Sequence, residues 1–189
     1  MPVTLENSRV KLSPLSLDNY HHIIKIGKEP KLVQYSPSKV DTPEDLKNYV
    51  LTALEWQKNK TAIPFIVFDK HTKLYAGTTR YMNINKNNKV LEIGATWIGR
   101  NFQGTGLNKN MKFLMLQHAF EIMNFEKVEF RIDERNIASR KAVEKLGAQS
   151  EGLLRKNVVL INGFRRNTCC YGILREEWTN LKTKVFTDI

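Results

Sequence analysis

The residues best suited to chemistry in this chain are two glycines within Arg100–Asn108, between a strand-like and a helix-like segment. Gly104 and Gly106 permit a tight turn that leaves backbone N–H groups bare. The first turn of the following helix adds unpaired N–H donors and the positive end of the helix dipole. The stretch therefore predicts a socket for a phosphate-bearing ligand.

Two familiar phosphate-binding loops do not fit these residues. A P-loop places a lysine directly after its second glycine, but Thr105 follows Gly104 here. A dinucleotide-binding fingerprint needs a third glycine, and Lys109 stands in its place. The competing interpretation is that the glycines serve only to permit a tight turn.

Hydrophobic periodicity and turn signals predict the elements that must position this loop. Three antiparallel strands are expected over Ile63–Asp69, Leu74–Ile84 and Val90–Ile98, and a helix over Leu107–Met123 follows the loop. The remaining predicted elements are strands at Ser8–Ser13 and Glu126–Ile132, helices at Leu17–Ile26, Pro43–Lys58, Asn136–Leu146 and Leu174–Leu181, and a hairpin at Asn162-Gly163. Together they indicate an α+β (mixed α/β) fold in which a central sheet carries helices.

The length and composition of the chain fit one domain spanning residues 1–189. No segment approaches the roughly 20 apolar residues of a membrane helix, and Met1–Leu12 lacks a hydrophobic signal region. We therefore expect a cytoplasmic protein without a membrane partner. The two cysteines, Cys169 and Cys170, are adjacent and form no C-x-x-C pattern, so no metal site is expected.

The positive charge of the chain is evenly distributed. The net charge is +11, with +5 in residues 1–99 and +6 in residues 100–189. Such a surface suits a polyanionic cofactor, an acidic substrate or nucleic acid. Because there is neither a basic tail nor an RNA-binding motif, nucleic acid is the least favoured partner. Salt-sensitive RNA binding would be its signature.

Four stretches, in a fixed order, resemble the GNAT N-acetyltransferase superfamily and in particular its RimJ/RimL-type protein acetyltransferases. They are Leu91–Ile98, Gln103–Asn108, Arg135–Ala148 and Gly152–Arg155, the last followed by the Asn162-Gly163 hairpin. The resemblance covers nearly the whole chain. It implies a mostly antiparallel, twisted sheet of about seven strands, splayed in the middle and flanked by helices.

The resemblance also implies that a V-shaped split between two central strands holds acetyl-CoA, with its pyrophosphate on the glycine loop. The residues expected at the pyrophosphate are Gln103, Gly104, Thr105, Gly106, Leu107 and Asn108. The pantetheine arm is expected to pair with the backbone of Trp97, Ile98 and Gly99, and Asn136 to hold the pantetheine or its thiol end.

Three positions depart from the family's pattern. Asn101 stands at the loop position that usually carries Gln or Arg, and Ala148 replaces a terminal aromatic residue. Val143 occupies the position of the tyrosine that usually donates a proton to the leaving thiolate. Ser139, a nearby tyrosine or a water molecule could take over that donation.

Acetyl transfer to an amine also needs a base, because an α-amine (pKa about 8) or a lysine (about 10.4) must lose a proton. Glu92 is our candidate base. On a regular strand it shares a face with Gly94 and Thr96, opposite Trp97. The alternative interpretation of Glu92 is a solvated or salt-bridged strand carboxylate. Ser139, one helical turn after Asn136, is the second catalytic candidate and a cofactor contact, or alternatively makes a helix-start hydrogen bond.

The sequence therefore predicts an acetyl-CoA-dependent N-acetyltransferase that acts on a peptide N-terminus or a small-molecule amine. Acceptor contacts are expected from Leu17–Lys47 and from the Lys156–Arg166 hairpin. A homodimer is a plausible assembly. The competing hypothesis, suggested by Val143, is a non-catalytic acyl-CoA-binding or sensing module.

Overall fold

Eight strands form one twisted sheet in the computed structural model, which describes residues 3–189. The strands are β1 (Leu5–Glu6), β2 (Val10–Pro14), β3 (Ile63–Asp69), β4 (Leu74–Asn85), β5 (Val90–Ile98), β6 (Lys127–Asp133), β7 (Gln149–Val159) and β8 (Arg165–Leu174). The α-helices are α1 (Ile24–Gly27), α2 (Pro43–Lys58), α3 (Leu107–Gln117), α4 (Ile137–Glu144) and α5 (Arg175–Lys184). The strand order across the sheet is β1-β2-β3-β4-β5-β6-β8-β7.

The middle of the sheet contains its one parallel pair among the described residues, β5 with β6. This pair is in register only from Val90 opposite Lys127 to Glu92 opposite Glu129. Beyond Glu92 the two strands diverge, while β5 continues to pair with β4 and β6 with β8. The sheet is therefore split at its centre, and the split begins at Glu92.

Helices α2 and α3 pack on opposite faces of the sheet. Arg80 on β4 lies against Tyr49 of α2, whereas the next residue, Tyr81, donates a hydrogen bond to the carbonyl of Met115 on α3 at 2.7 Å. Consecutive strand residues point to opposite faces, so the two helices cover the two faces. Helix α2 begins as predicted, with Thr42 accepting a hydrogen bond from the backbone of Asp45 and Pro43 in the first turn.

The expected fold class is confirmed, with eight strands rather than about seven. Strand β7 was largely missed because it is an edge strand whose residues are nearly all exposed, so it carries no apolar alternation. The helix predicted at Leu17–Ile26 is a 3₁₀ turn, Tyr20–Ile23, followed by the single turn α1. Within residues 3–189 no helix is both long and apolar enough to cross a membrane.

Candidate active site

The glycine loop has the backbone that the sequence predicts. Gly104 and Gly106 adopt left-handed φ values of 73° and 85°, which glycine reaches without steric cost. A Cβ built on either glycine would meet no atom within 4 Å. Among the described residues, the N–H groups of Gly104, Thr105 and Gly106 make no backbone hydrogen bond. These donors and the open space beside them suit a phosphate group.

The side chains of the loop maintain its shape. Gln103 donates from Nε2 to the carbonyl of Ile98 at 3.1 Å, and the hydroxyl of Thr105 donates to the carbonyl of Phe102 at 2.8 Å. Leu107 is fully buried in the core. The ligand contacts expected of these residues therefore fall mainly to backbone N–H groups.

A cleft of about 810 Å³ runs beside the loop, and we call it the cofactor cleft. It brings together seven of the predicted residues: Trp97, Ile98, Gln103, Gly104, Asn108, Asn136 and Ser139. Lys31 and Arg100 also line it and give it a positive charge, whereas Arg135, in the same lining, is paired with Asp133 at 2.7 Å. Gly99, Thr105, Gly106 and Leu107 lie outside its lining. The cofactor contacts of all these residues remain a prediction.

Asn136 is the N-cap residue of α4. Its Oδ1 accepts a hydrogen bond from the backbone N–H of Ser139 at 3.1 Å, which leaves its amide nitrogen to meet a ligand. The hydroxyl of Ser139 has no hydrogen-bond partner among residues 3–189, and Ser139 lines the cleft. The cap is therefore made by Asn136, and the Ser139 hydroxyl is not needed for it.

The position of the usual tyrosine is apolar. Val143 is buried and lines a small cavity of about 210 Å³, the central cavity, between the diverging strands. Tyr171 on β8 does not replace the missing hydroxyl, because its own donates to Glu144 at 2.8 Å and accepts from Arg140 at 3.0 Å.

A bulge in β5 corrects the predicted strand faces. Ala95 has a left-handed φ of 47°, and the register with β4 shifts at this point. The extra residue reverses the alternation, so Thr96 points to the α3 face, where its hydroxyl meets that of Thr79 at 2.7 Å. Glu92 and Gly94 share the α2 face as predicted, but Trp97 joins them and Thr96 does not.

Glu92 lies where the split opens and is only 6% exposed. Its carboxylate accepts a hydrogen bond from Asn83 at 2.7 Å and lies 3.8 Å from the guanidinium of Arg131. Burial raises the pKa of Glu92, although Asn83 and Arg131 oppose the shift. A Cβ at Gly94 would approach the Glu92 carboxylate to 2.9 Å, so this glycine leaves room for it.

Glu92 faces a second pocket, of about 630 Å³, on the α2 side of the sheet. We call it the acceptor pocket. Segments 36–39 and 157–166, both within the regions expected to contact an acceptor, contribute to its wall. Ala95 and Arg166 line both this pocket and the central cavity, and Asn136 and Ser139 line both the central cavity and the cofactor cleft. The split therefore connects the glycine loop with Glu92.

Sequence reasoning missed Lys112, a buried lysine on α3. It is 4% exposed, lines the central cavity and donates to the hydroxyl of Thr96 at 2.8 Å. No carboxylate among residues 3–189 pairs with it, and burial lowers its pKa to about 7. Its spacing from Asn108 and Met115 places it on the buried face of α3, a signal that could have identified it.

These features are those of the acetyltransferase (GNAT) family, and the chain belongs to it: the family's domain matches residues 9–149. The resemblance to the RimJ/RimL-like branch is likewise confirmed. An uncharacterized N-acetyltransferase from Bacillus licheniformis, p20, is 27% identical over 157 residues, which cover 80% of this chain and 85% of that protein.

Two further likenesses agree with this assignment. YdaF of Bacillus subtilis, provisionally named a ribosomal N-acetyltransferase, is 29% identical over 100 residues. These residues cover 53% of this chain and 54% of YdaF. A crystal structure from T. thermophilus, provisionally described as an acetyltransferase, superimposes with a TM-score of 0.89 at 30% identity and covers 100% of this chain and 98% of that one.

Proposed function

We propose that this protein transfers the acetyl group of acetyl-CoA directly to a primary amine. The observation that carries the proposal is the split between β5 and β6. A loop suited to phosphate lies at one end of the connected cavities and the buried carboxylate of Glu92 lies at the other. Two ligands that enter from opposite sides would meet in the central cavity.

The cofactor side fits acetyl-CoA, which supplies an activated acetyl thioester when bound. The N–H groups of the glycine loop and of the first turn of α3 would hold the pyrophosphate. Lys31 and Arg100 add positive charge along the same cleft. Because β6 leaves β5 after Glu92, the β6-facing backbone of β5 has no strand partner beyond that residue and would pair with the pantetheine, mainly through N–H groups, since the carbonyl of Ile98 already accepts from Gln103.

Glu92 would act as the general base, directly or through a water molecule. Its raised pKa brings the carboxylate closer to the amine in basicity and so improves proton transfer. Only the ionised carboxylate accepts a proton, so turnover is expected to rise with pH through the pKa of Glu92. Asn83 and Arg131 would hold the carboxylate in place.

Lys112 is our candidate for returning a proton to the leaving thiolate, because Val143 has no proton to give. Lys112 lines the central cavity, between the two ligand sides, and its ammonium group is held by the hydroxyl of Thr96, which lines the same cavity. A pKa of about 7 lets it both hold and release a proton at neutral pH. Ser139, whose hydroxyl is free, would contact the cofactor and is the alternative donor. Backbone N–H groups of β5 beyond Glu92 would stabilise charge on the thioester oxygen.

The acceptor would be an N-terminal α-amine of a protein or a small-molecule amine. The provisional name of YdaF, ribosomal N-acetyltransferase, supports the first. An open pocket of about 630 Å³ in front of Glu92 can receive either. A cytoplasmic location and a homodimer remain expectations alongside this proposal.

Calorimetric titration with acetyl-CoA, followed by an acetyl-transfer screen, tests the proposal. The screen covers peptides, amino acids, polyamines and aminoglycosides, with the acetylated product identified by mass spectrometry. We expect binding and transfer to at least one amine class. Failure of the folded protein to bind acetyl-CoA would overturn the proposal.

The second candidate function is a non-catalytic acyl-CoA sensor, and Val143 is the observation that favours it. A sensor binds acetyl-CoA in the calorimeter and acetylates no amine in the same screen. The two functions are therefore separated by the transfer step alone.

A further inference from the structure

The acceptor pocket contains two arginines that form no ion pair with a carboxylate of the described residues. Arg80 and Arg166 both line it, and neither has a carboxylate oxygen within 4.0 Å among residues 3–189. The other cations of the pocket are paired. Arg131 lies 3.2 Å from Glu129, and Lys39 lies 3.2 Å from Asp45. The surplus positive charge of the pocket thus belongs to Arg80 and Arg166.

Arg80 is the more deeply buried of the two, at 2% exposure. Its guanidinium lies 4.6 Å from the ring centre of Tyr49 and 5.4 Å from that of Trp56. Its Nε and Nη2 are buried and have no hydrogen-bond partner within the described residues. Burying an unpaired charge is costly, and the two aromatic faces offset only part of that cost.

Arg166 is half-buried on β8 and held by neutral groups. Its Nε donates to the hydroxyl of Thr168 at 3.1 Å, and its Nη1 donates to the backbone carbonyl of Tyr35 at 2.9 Å. Burial lowers the pKa of Arg166, although the charges of Asp133 and Glu92 oppose the shift, so keeping this cation there has a cost. The two hydrogen bonds fix the direction of the guanidinium and leave Nη2 without a partner among residues 3–189.

We propose that the amine acceptor also carries an anionic group, a carboxylate or a phosphate, which Arg80 and Arg166 bind while the amine reaches Glu92. This inference rests on the proposed function and narrows its acceptor. A guanidinium binds carboxylate and phosphate oxygens through charge-assisted hydrogen bonds. The same two cations repel a polyamine, so the pocket disfavours acceptors whose only charges are positive.

Matched acceptors that differ in the anion alone test the proposal. The pairs are L-methionine with L-methioninamide, a tetrapeptide beginning with Asp with its Asn counterpart, and O-phosphoethanolamine with ethanolamine. Rates are compared at equal concentrations of unprotonated amine. We expect kcat/KM to favour the anionic member of at least one pair by about tenfold or more. The pair that responds identifies the anion as an α-carboxylate, an acidic side chain or a phosphate.

Substitution of Arg166 sharpens the test. Arg166→Met is expected to reduce the preference for the anionic acceptor about tenfold, mainly through KM, because the missing contact is one of binding. Arg165→Met is the matched control, since Arg165 is the exposed neighbour on the same strand and does not line the pocket. Arg80→Met is expected to act in the same direction as Arg166→Met. Its acetyl-CoA affinity reports whether it is folded.

The proposal is overturned if every transferred pair shows no anion preference, or if Arg166→Met leaves the preference intact. Binding separates these results from failure of the proposed function. If no amine is acetylated, titration of N-acetyl-L-methionine against N-acetyl-L-methioninamide into the protein with CoA still decides the question. Tighter binding of the acid, lost in Arg166→Met, supports the anion site; equal binding of both compounds contradicts it.

Discussion

The glycine loop and the acceptor pocket lie at opposite ends of one split, and they are held by different means. The loop consists of consecutive residues, Gln103 to Asn108, and offers mainly backbone N–H groups in an exposed position. The acceptor pocket is assembled from side chains of α2, β4, β5, β6 and the β7–β8 hairpin. It buries Glu92 and Arg80 almost completely.

The two regions differ in the free energy that each costs the folded protein. A left-handed glycine in an exposed turn strains nothing, so the loop places a small burden on folding. A buried carboxylate, an unpaired arginine and the buried Lys112 are each expensive to desolvate. Such groups cluster where a function requires them. The acceptor side and the central cavity are thus where activity and stability are expected to oppose each other.

The largest expected effect is that of Glu92→Gln, which keeps the shape of the side chain and removes the base. We expect kcat to fall by about 10²–10⁴-fold, the usual contribution of general base catalysis. Acetyl-CoA affinity, measured by calorimetry, is expected to stay unchanged because the loop is untouched. Glu55→Gln is the control, since Glu55 is an exposed carboxylate of α2 that lines neither the acceptor pocket, the central cavity nor the cofactor cleft. An unchanged kcat in Glu92→Gln would remove Glu92 as the base.

Lys112→Met is expected to lower kcat by about 10²-fold, because it removes the proposed proton donor. It is also expected to raise the free energy of unfolding at pH 7 by about 1–3 kcal/mol, measured by urea denaturation, because an unpaired buried cation becomes apolar. Lys109→Met controls for the loss of a lysine from α3, since Lys109 is only half-buried, pairs with Asp188 and does not line the central cavity. A less stable Lys112→Met variant would contradict the account.

The pH dependence of that stability gain has a definite sign. The pKa of Lys112 is about 7 in the folded protein and near 10.5 in the unfolded chain, so the unfolded chain binds more protons between these values. The wild-type protein therefore gains stability as pH rises from about 7 to about 10.5. The advantage of Lys112→Met is largest below pH 7 and shrinks across this range.

Gly106→Ala probes the loop and is expected to have a smaller effect. A left-handed conformation costs a residue with a Cβ about 1–2 kcal/mol, so the free loop is expected to relax to another turn. Because binding must restore the left-handed turn, we expect about tenfold weaker acetyl-CoA binding by calorimetry. Gly163→Ala imposes the same strain in the β7–β8 turn, where φ is 80°, and is expected to leave acetyl-CoA affinity intact. Equal affinities in the two variants would argue against the loop as the phosphate site.

The smallest expected effect comes from Asn83→Gly. This substitution removes the hydrogen bond from the Asn83 side chain, which lowers the pKa of Glu92. Glycine tolerates the left-handed φ of 52° at this position. The pKa of Glu92 then rises further, and the acid limb of the kcat–pH profile moves to higher pH. We expect about a two- to fivefold loss of kcat on that acid limb. If the acid limb does not move, the group that titrates in the kcat–pH profile is not Glu92.

The same contrast explains what could be predicted from the sequence. The loop is local, so two glycines and a helix start were enough to predict its shape. Its phosphate-bearing ligand stays a prediction. The acceptor pocket depends on which distant side chains meet. Arg80 and Arg166 come together only through the strand order, in which β8 follows β6.

Two local features also limited what could be predicted from the sequence. The bulge at Ala95 reverses the faces of Thr96 and Trp97, and regular alternation carries no sign of it. From the sequence alone, Lys112 is expected to be a solvated lysine, because the burial of its face of α3 is not known. Conversely, Glu92 was chosen from its type and its place on β5, and the structure puts it where the split begins. Its role as the base stays a prediction.

The central claim is that both substrates occupy the split at the same time and that the acetyl group passes directly between them. Initial velocities measured while acetyl-CoA and an acceptor amine are both varied test this claim most directly. Double-reciprocal lines that intersect are the predicted result, because a ternary complex must form. Parallel lines, together with an acetylated protein trapped in the absence of acceptor, would instead show a covalent intermediate and contradict direct transfer.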